Sequence, residues 1–431
     1  MTDDGATWLG AFDDEAWARL LRREPVDERL LVRSVTAGRV LGIAVDLVER
    51  VLEKPGSAGG ILRRGLREAR ALHSRERRLV ADGLHALSRL HALIGAAVGP
   101  TSDPALALWM TWMVQLGADV PTAEATWRER TGTDLDLART LDLRAAAGGG
   151  TLDEVIARVG SIPLAAVPAF RRALGDDLRA FLVASADRAP IGLRPVPPMD
   201  RERLMTRLAA AEVPATPTRL ASEGVVVPVG TDLTRALAGA DVDHLVQDEA
   251  SQAVAEIATP RPGLRILDLC AGAGGKSLAM ACRGAKVTAS DIRVEALHEL
   301  RRRAGRAGLP VRVVGPPFLG NEPPFDVVLV DAPCTGSGVW RRHPELRWRL
   351  VDLAELTALQ DTLLDQATAY VRPGGRLLFA TCSMLLEEGV DRVDAFLARH
   401  GAYTKVGTTL ATRPDRDGTD GFTLFELERT R

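Results

Sequence analysis

The sequence predicts the α/β fold class: a doubly wound, mostly parallel sheet in the last part of the chain, preceded by a small α+β piece and an all-helical region. Three observations carry this expectation. From Leu264 onward, apolar strand patterns alternate with helical ones. Before Asp187, amphipathic helical stretches follow one another with no strand pattern between them. Between the two, Pro190, Pro195, Pro197 and Pro198 crowd one short segment, the mark of a boundary or linker. The expected domains are residues 1–187, 188–243 and 244–431.

The totals agree with several domains. The chain has 431 residues and 46% hydrophobic residues, enough to bury more than one core. Aromatics make up only 4%, which leaves little material for a platform that stacks bases. Net charge is −2 and the sequence pI is about 6.4, so a global basic footprint for nucleic acid is absent. Four cysteines, Cys270, Cys282, Cys334 and Cys382, form no C-x-x-C pair, so the spacing predicts no metal site and no redox dithiol. A large, cysteine-poor chain with an acidic start and no long apolar run predicts a cytoplasmic protein with free thiols, no signal peptide and no membrane span.

In the first region, Leu30 to Lys54 reads as one helix that stops before Pro55, and Ile61 to Leu72 as an arginine-rich amphipathic helix. Ser74 reads as the N-cap of a helix over Arg75 to about Val98. Pro104–Leu116, Ala123–Arg130, Leu152–Val159, Val167–Leu174 and Asp176–Ala186 continue the series. Arg63, Arg64, Arg67, Arg70, Arg75, Arg77 and Arg78 form its densest basic cluster, either a solvated helix face or a nucleic-acid patch. The small middle piece reads as a helix over Arg201–Ala210 followed by short strands near Val225–Val229. His244 to Ala258 reads as a helix entering the last domain.

There the expected strands are Arg265–Leu269, Lys286–Ser290, Val311–Val314, Phe325–Val330 and Arg376–Ala380, with Gly421–Leu427 as a last one. After the first strand, Cys270, Ala271, Gly272, Ala273, Gly274, Gly275, Lys276 and Ser277 form a glycine-rich turn into a helix. A dinucleotide fingerprint would need a third glycine where Ser277 stands, and a phosphate-binding P-loop a glycine where Cys270 stands. The D-x-x-x-G-x-G loop of S-adenosylmethionine enzymes fits through Asp268, Gly272 and Gly274. Asp291 ends the second strand, where an acid about 20 residues on accepts bonds from ribose hydroxyls; the same residue type also caps helices.

Two thiols end strands. Cys334 follows Asp331, Ala332 and Pro333, and Cys382 follows the Arg376–Ala380 pattern. In an open α/β sheet ligands bind at the carboxyl ends of strands, so both thiols should face one crevice. A thiolate that adds to C6 of cytosine makes C5 nucleophilic enough to take a methyl group. An Asp at the ring meets the developing charge, and a second acid–base group helps remove the C5 proton. Cys282 reads instead as a small hydrophobe, and Cys270 as a lining of the cofactor loop.

The segments VQDEASQ, DLCAGAGGKS, SDIR, DVVLVDAPCTGSGVWRRHPELRW, RPGGRLLFATCS and DGTDGF resemble, in order and spacing over roughly residues 190 to 431, the Sun/Fmu family of RNA 5-methylcytosine methyltransferases. The resemblance implies a Rossmann-like methyltransferase domain behind a small RRM-like subdomain. It implies that Cys382 attacks C6, Cys334 assists release and Asp331 holds the cytosine, with Lys276 near the reacting centre. It implies that Cys270, Ala271, Gly272, Ala273, Gly274, Gly275, Lys276, Asp291 and Asp331 bind S-adenosylmethionine. SRERRLVADGLHALSRLHALI resembles the NusB-like helical domain of the family's bacterial 16S rRNA member, so the expected substrate is RNA, 16S rRNA first, acted on by a monomer without a metal.

Arg341, Arg342, His343, Arg347 and Arg349, just after Cys334, are expected to contact RNA phosphates. The chain departs from the family in four places: Ala273 replaces a proline, Val314-Gly315-Pro316-Pro317 lacks the carboxylate that meets adenine, Gly389 replaces an asparagine, and GLRPVPP lacks another. Two other readings stay open: a tRNA cytosine-C5 methyltransferase, and a non-catalytic RNA-binding assembly factor on the same fold.

Overall fold

The computed structural model describes residues 4–237, 243–348, 353–406 and 410–430. The chain forms two compact units, Met1–Asp187 with Val339–Val351, and Arg188–Gly338 with Asp352–Arg431. Among the described residues no helix is long and apolar enough to cross a membrane.

The first unit is helical, as expected. Pro104–Gln115 is buried on every side, which is why its sequence is apolar all round (PALALWMTWMVQ). The longest described helix, Ser74–Val98, packs on it, and Leu84, Leu87 and Leu90 of that helix are buried. Gly83 is needed at that crossing, because a Cβ there would come within 2.6 Å of the Trp109 ring. The Trp109 indole N–H donates to the Ser34 carbonyl over 2.9 Å, so its one polar atom is satisfied.

Three local expectations change. Leu30–Lys54 is two helices, Glu28–Val35 and Arg39–Glu53, broken at Gly38. The N-cap of the long helix is His73, not Ser74: the Glu76 carboxylate accepts from the His73 amide and also from Arg33 and Arg39. The arginine-rich helix spans Ala58–Glu68, and Arg64, Arg67, Glu68 and Arg70 line a surface depression.

The second unit carries two sheets. β1 (Ile191–Pro195), β2 (Thr216–Pro217), β3 (Val225–Val227) and β4 (His244–Val246) form an antiparallel sheet in the order β2-β3-β1-β4. Its core is Leu193, Val225 and Val227 against Leu204 and Leu208 of the helix Arg201–Ala210. His244–Val246 is therefore a strand, not the start of a helix, which begins at Glu249. Val242, at the expected end of this piece, lies outside the described residues.

The larger sheet comprises β5 (Arg265–Asp268), β6 (Lys286–Ala289), β7 (Val311–Val313), β8 (Phe325–Asp331), β9 (Val371–Thr381), β10 (Tyr403–Lys405), β11 (Leu410–Thr412) and β12 (Phe422–Arg429). The order is β10-β12-β9-β8-β5-β6-β7, with β11 also paired to β12. β9-β8-β5-β6-β7 are parallel and β12 runs antiparallel to β9. Val328, Val330, Leu377, Phe379 and Leu427 bury fully, which explains the apolar runs Val327–Val330 of β8 and Leu377–Ala380 of β9. Each such side chain stabilises the fold by about 1.5–3 kcal/mol. The doubly wound, Rossmann-like sheet expected from the sequence is present.

Candidate active site

Asp331 ends β8 and lies opposite Ala380 of β9 in parallel register. The chain then turns through Pro333 and Cys334, while β9 runs on to Thr381 and delivers Cys382. The two thiols meet at 3.4 Å between Sγ atoms, both reduced. Cys334 is buried and Cys382 half-buried. The contact with Cys382, burial and the nearby Glu388 charge hold the Cys334 thiol well above the usual range. Of the two thiols, Cys334 is therefore the poorer candidate for an attacking thiolate.

Lys276 reaches this crevice from the start of the helix Gly275–Cys282. Its ammonium donates to Asp331 Oδ2 over 2.7 Å and stands 4.6 Å from the Phe422 ring centroid. Burial works against its charge, but Asp331, with a smaller contribution from Cys382, outweighs it and raises Lys276 above the usual lysine range. Among the described residues Asp331 Oδ1 accepts from no protein group, which leaves it for a ligand.

Between the thiol turns lies a polar web. Glu388 is fully buried; its Oε1 accepts from the Thr335 amide at 2.9 Å and Gln360 Nε2 at 3.2 Å, and its Oε2 from Thr335 Oγ1 at 2.6 Å. Thr335 Oγ1 also lies 3.2 Å from Ser383 Oγ, and the Gly338 amide donates to the Cys382 carbonyl over 2.9 Å. Gly338 and Gly421 touch through their backbones; a Cβ on Gly338 would sit 2.2 Å from the Gly421 carbonyl oxygen. A Cβ on Gly421 would meet Met384 Cε at 2.4 Å and Gly338 Cα at 2.9 Å, a physical reason for the last glycine of DGTDGF. Sequence reasoning missed Glu388, Thr335, Gln360 and Ser383. A weak signal existed, since Thr335 and Ser383 each directly follow a strand-end cysteine.

Next along the sheet, the glycine turn ends β5. Gly274 adopts φ +84° as N-cap of the following helix, and a Cβ there would meet Leu300 at 2.6 Å. Gly275 faces open space, with Gln247 no nearer than 4.0 Å. Asp268 is buried beneath the turn; Ser277 donates to its Oδ2 over 2.6 Å, while Oδ1 has no partner among the described residues. Burial lifts its carboxyl to about 7. Cys270 is pushed up by burial and the surrounding carboxylates, so it is no nucleophile at neutral pH.

Asp291 accepts from the Gly272 amide at 2.8 Å and from Arg293 through its backbone and guanidinium. Burial opposes its charge, and the bonds from Arg293 and Gly272 hold it below the usual carboxylate range. It caps no helix, since the next one starts at Val294 with Arg293 as N-cap. A ribose at Asp291 has to displace Arg293. Beyond it, Ile292 is 87% exposed and Phe318, in the turn after β7, is 63% exposed. No carboxylate lies between Val314 and Asn321. An open glycine turn, an orphaned buried carboxylate oxygen, an acid at the next strand end and exposed apolar groups beyond fit a nucleoside carrying an amino-acid side arm.

Arg341, Arg342 and His343 lie in Val339–Val351, the segment that packs with the helical unit. His343 is exposed, its Nδ1 3.2 Å from Glu345. Arg347 does not fit a phosphate contact. It is buried, donates to the Gly160 and Ser185 carbonyls and lies over Trp340 at 4.5 Å, and burial pulls its guanidinium down to about 9. Arg349 lies outside the described residues.

Residues 255–422 match the family model "16S rRNA methyltransferase RsmB/F". A ribosomal RNA small subunit methyltransferase B of Erwinia tasmaniensis is 39% identical over 197 residues, 42% of this chain and 46% of the relative, so that match spans under half of the relative's length. A putative methyltransferase of Mycobacterium tuberculosis is 36% identical over 366 residues, 75% of this chain and 77% of the relative. The crystal structure of the protein PH0851 superposes with a TM-score of 0.70 at 22% identity, covering 94% of this chain and 100% of that one, a likeness of fold.

Proposed function

The chain belongs to the 16S rRNA methyltransferase RsmB/F family, and from that premise we propose that it is an S-adenosylmethionine-dependent RNA cytosine-C5 methyltransferase with 16S rRNA as its substrate. The observation that carries the chemistry is the pair of thiols 3.4 Å apart at adjacent strand ends, beside the Lys276–Asp331 ion pair.

S-Adenosylmethionine, when bound, supplies an electrophilic methyl group. The residues that would hold it are Cys270 through Lys276, Asp291 and Asp331, with Ile292 and Phe318 as apolar contacts for adenine in place of a carboxylate. The Cys382 thiolate bonds to C6 of cytosine, and the C5–C6 electron pair moves toward C5. Asp331, oriented through Oδ2 by Lys276, holds the ring with Oδ1.

Once Cys382 is bonded to carbon, the hydrogen bond with Cys382 that most raises the Cys334 thiol is lost. Cys334, having given its proton to solvent, takes the C5 proton after methylation, and the C5–H electron pair reforms the C5–C6 double bond as the C6–Sγ bond breaks and restores the Cys382 thiolate. Arg341, Arg342 and His343 are the proposed contacts to RNA phosphates.

Incubation with labelled cofactor and 16S rRNA tests the reading. Wild type is expected to label cytosine C5 and Cys382→Ala to label nothing. Normal methylation by Cys382→Ala would sink the mechanism.

A further inference from the structure

Glu388 is a fully buried carboxylate for which no ion pair is found among the described residues. A buried charge without a cation is costly unless hydrogen bonds meet it. Here three donors do so, and two come from Thr335, the residue after Cys334. The third, Gln360, also donates to the carbonyl of Pro333, the residue before Cys334, over 2.9 Å. Both neighbours of the release thiol are thus tied to one acceptor group. Thr335 Oγ1 continues the web to Ser383, the residue after the attacking thiol, and Ser337 Oγ lies 3.3 Å from Ser383 Oγ. The Met384 amide donates to Ser337 Oγ over 2.9 Å, closing the web onto the Cys382 turn. Among the described residues, none of the web's hydrogen bonds reaches the glycine turn.

Resting on the covalent reading above, we infer that Glu388 is the positioning residue for product release, acting through Thr335 to hold the Cys334 turn against the Cys382 turn. Cys382 hangs on the end of β9, which is locked between β8 and β12. Cys334 hangs on a turn that the Glu388 web fastens. Loss of the web therefore leaves attack at C6 intact and misplaces the group that must take the C5 proton. A misplaced reacting group costs on the order of 100-fold in rate.

The test is single-turnover reaction with 16S rRNA and S-adenosylmethionine, resolved on a denaturing gel that separates free protein from RNA-linked protein. Wild type, Cys334→Ala, Glu388→Gln, Thr335→Val and Thr335→Ser are run together, with calorimetric binding of S-adenosylhomocysteine to each. Glu388→Gln and Thr335→Val are expected to accumulate the linked species about 10-fold or more over wild type, the effect of losing a charge-assisted hydrogen bond at a reacting group. Their S-adenosylhomocysteine affinity should match wild type, and Thr335→Ser, which keeps the hydroxyl, should release as wild type does.

If Cys334→Ala accumulates adduct while Glu388→Gln and Thr335→Val clear it at the wild-type rate, the positioning role is overturned and the covalent reading stands. If Cys334→Ala itself gives no adduct, the covalent reading fails, and this inference with it. Should Glu388→Gln not fold, Thr335→Val and its serine rescue decide alone. Accumulation in Thr335→Ser equal to that in Thr335→Val also overturns the role assigned to the hydroxyl.

Discussion

Two ends of the same sheet are built in opposite ways. At the carboxyl ends of β8 and β9 every reactive group is held by protein: Cys334 by its turn and by Cys382, Asp331 by Lys276, and the turns by Glu388. At the ends of β6 and β7 the protein offers Asp291, engaged by Arg293 and the Gly272 amide, and then the exposed Ile292 and Phe318. The end assigned to bond-making is pre-organised, and that assigned to the nucleoside is left for the ligand to complete. Rate should therefore respond to substitutions at the first end, and affinity to those at the second.

Loss of the attacking thiol is the largest effect expected. Cys382→Ala should lower methyl transfer by about four orders of magnitude or more, as removal of a nucleophile does, with binding of S-adenosylhomocysteine by calorimetry unchanged. Lys276→Met sharpens the contrast. It removes the cation from Asp331 and from the neighbourhood of Cys382, and kcat should fall on the order of 100-fold to 1000-fold, as when one preorganised donor is lost. A matching rise in KM with kcat intact would show that Lys276 belongs to the binding end instead.

Asp268 lies between the two ends and gives a pH signature. Its carboxyl titrates at about 7 in the folded protein because burial disfavours the charge. Between the ordinary carboxylate range and that value the unfolded chain has lost the proton and the folded one keeps it, so stability falls as pH rises through this window. Asp268→Asn should therefore be more stable than wild type at about pH 8, by roughly 2–4 kcal/mol, with the gap closing below about pH 4. Thermal unfolding across that range checks it.

The smallest effect is at the open end. Phe318→Ala should weaken S-adenosylhomocysteine by about tenfold, ~1.4 kcal/mol, through lost stacking area, with single-turnover kcat unchanged. A fall in kcat without a change in affinity would break the comparison.

Much of this was legible. β5 to β9 were readable because parallel strands covered on both faces need unbroken apolar runs, as in Val327–Val330. The thiols, Asp331 and the glycine turn were readable because each follows such a run. The web was not, because Glu388, Gln360 and Thr335 are brought together only by tertiary packing and form no pattern along the chain. Arg347 was misjudged for a related reason: charge marks a surface only on average, and here carbonyls and Trp340 accept a buried guanidinium. The break at Gly38 was hidden because apolar spacing continues across it.

The central claim is a division of labour between two adjacent thiols. Its most direct test is the site of the covalent bond in Cys334→Ala protein trapped on 16S rRNA, mapped by digestion and mass spectrometry. Attachment of a cytidine to the peptide that contains Cys382, already methylated at C5, is the predicted result. Attachment at any other residue, or recovery of free protein alone, would contradict it.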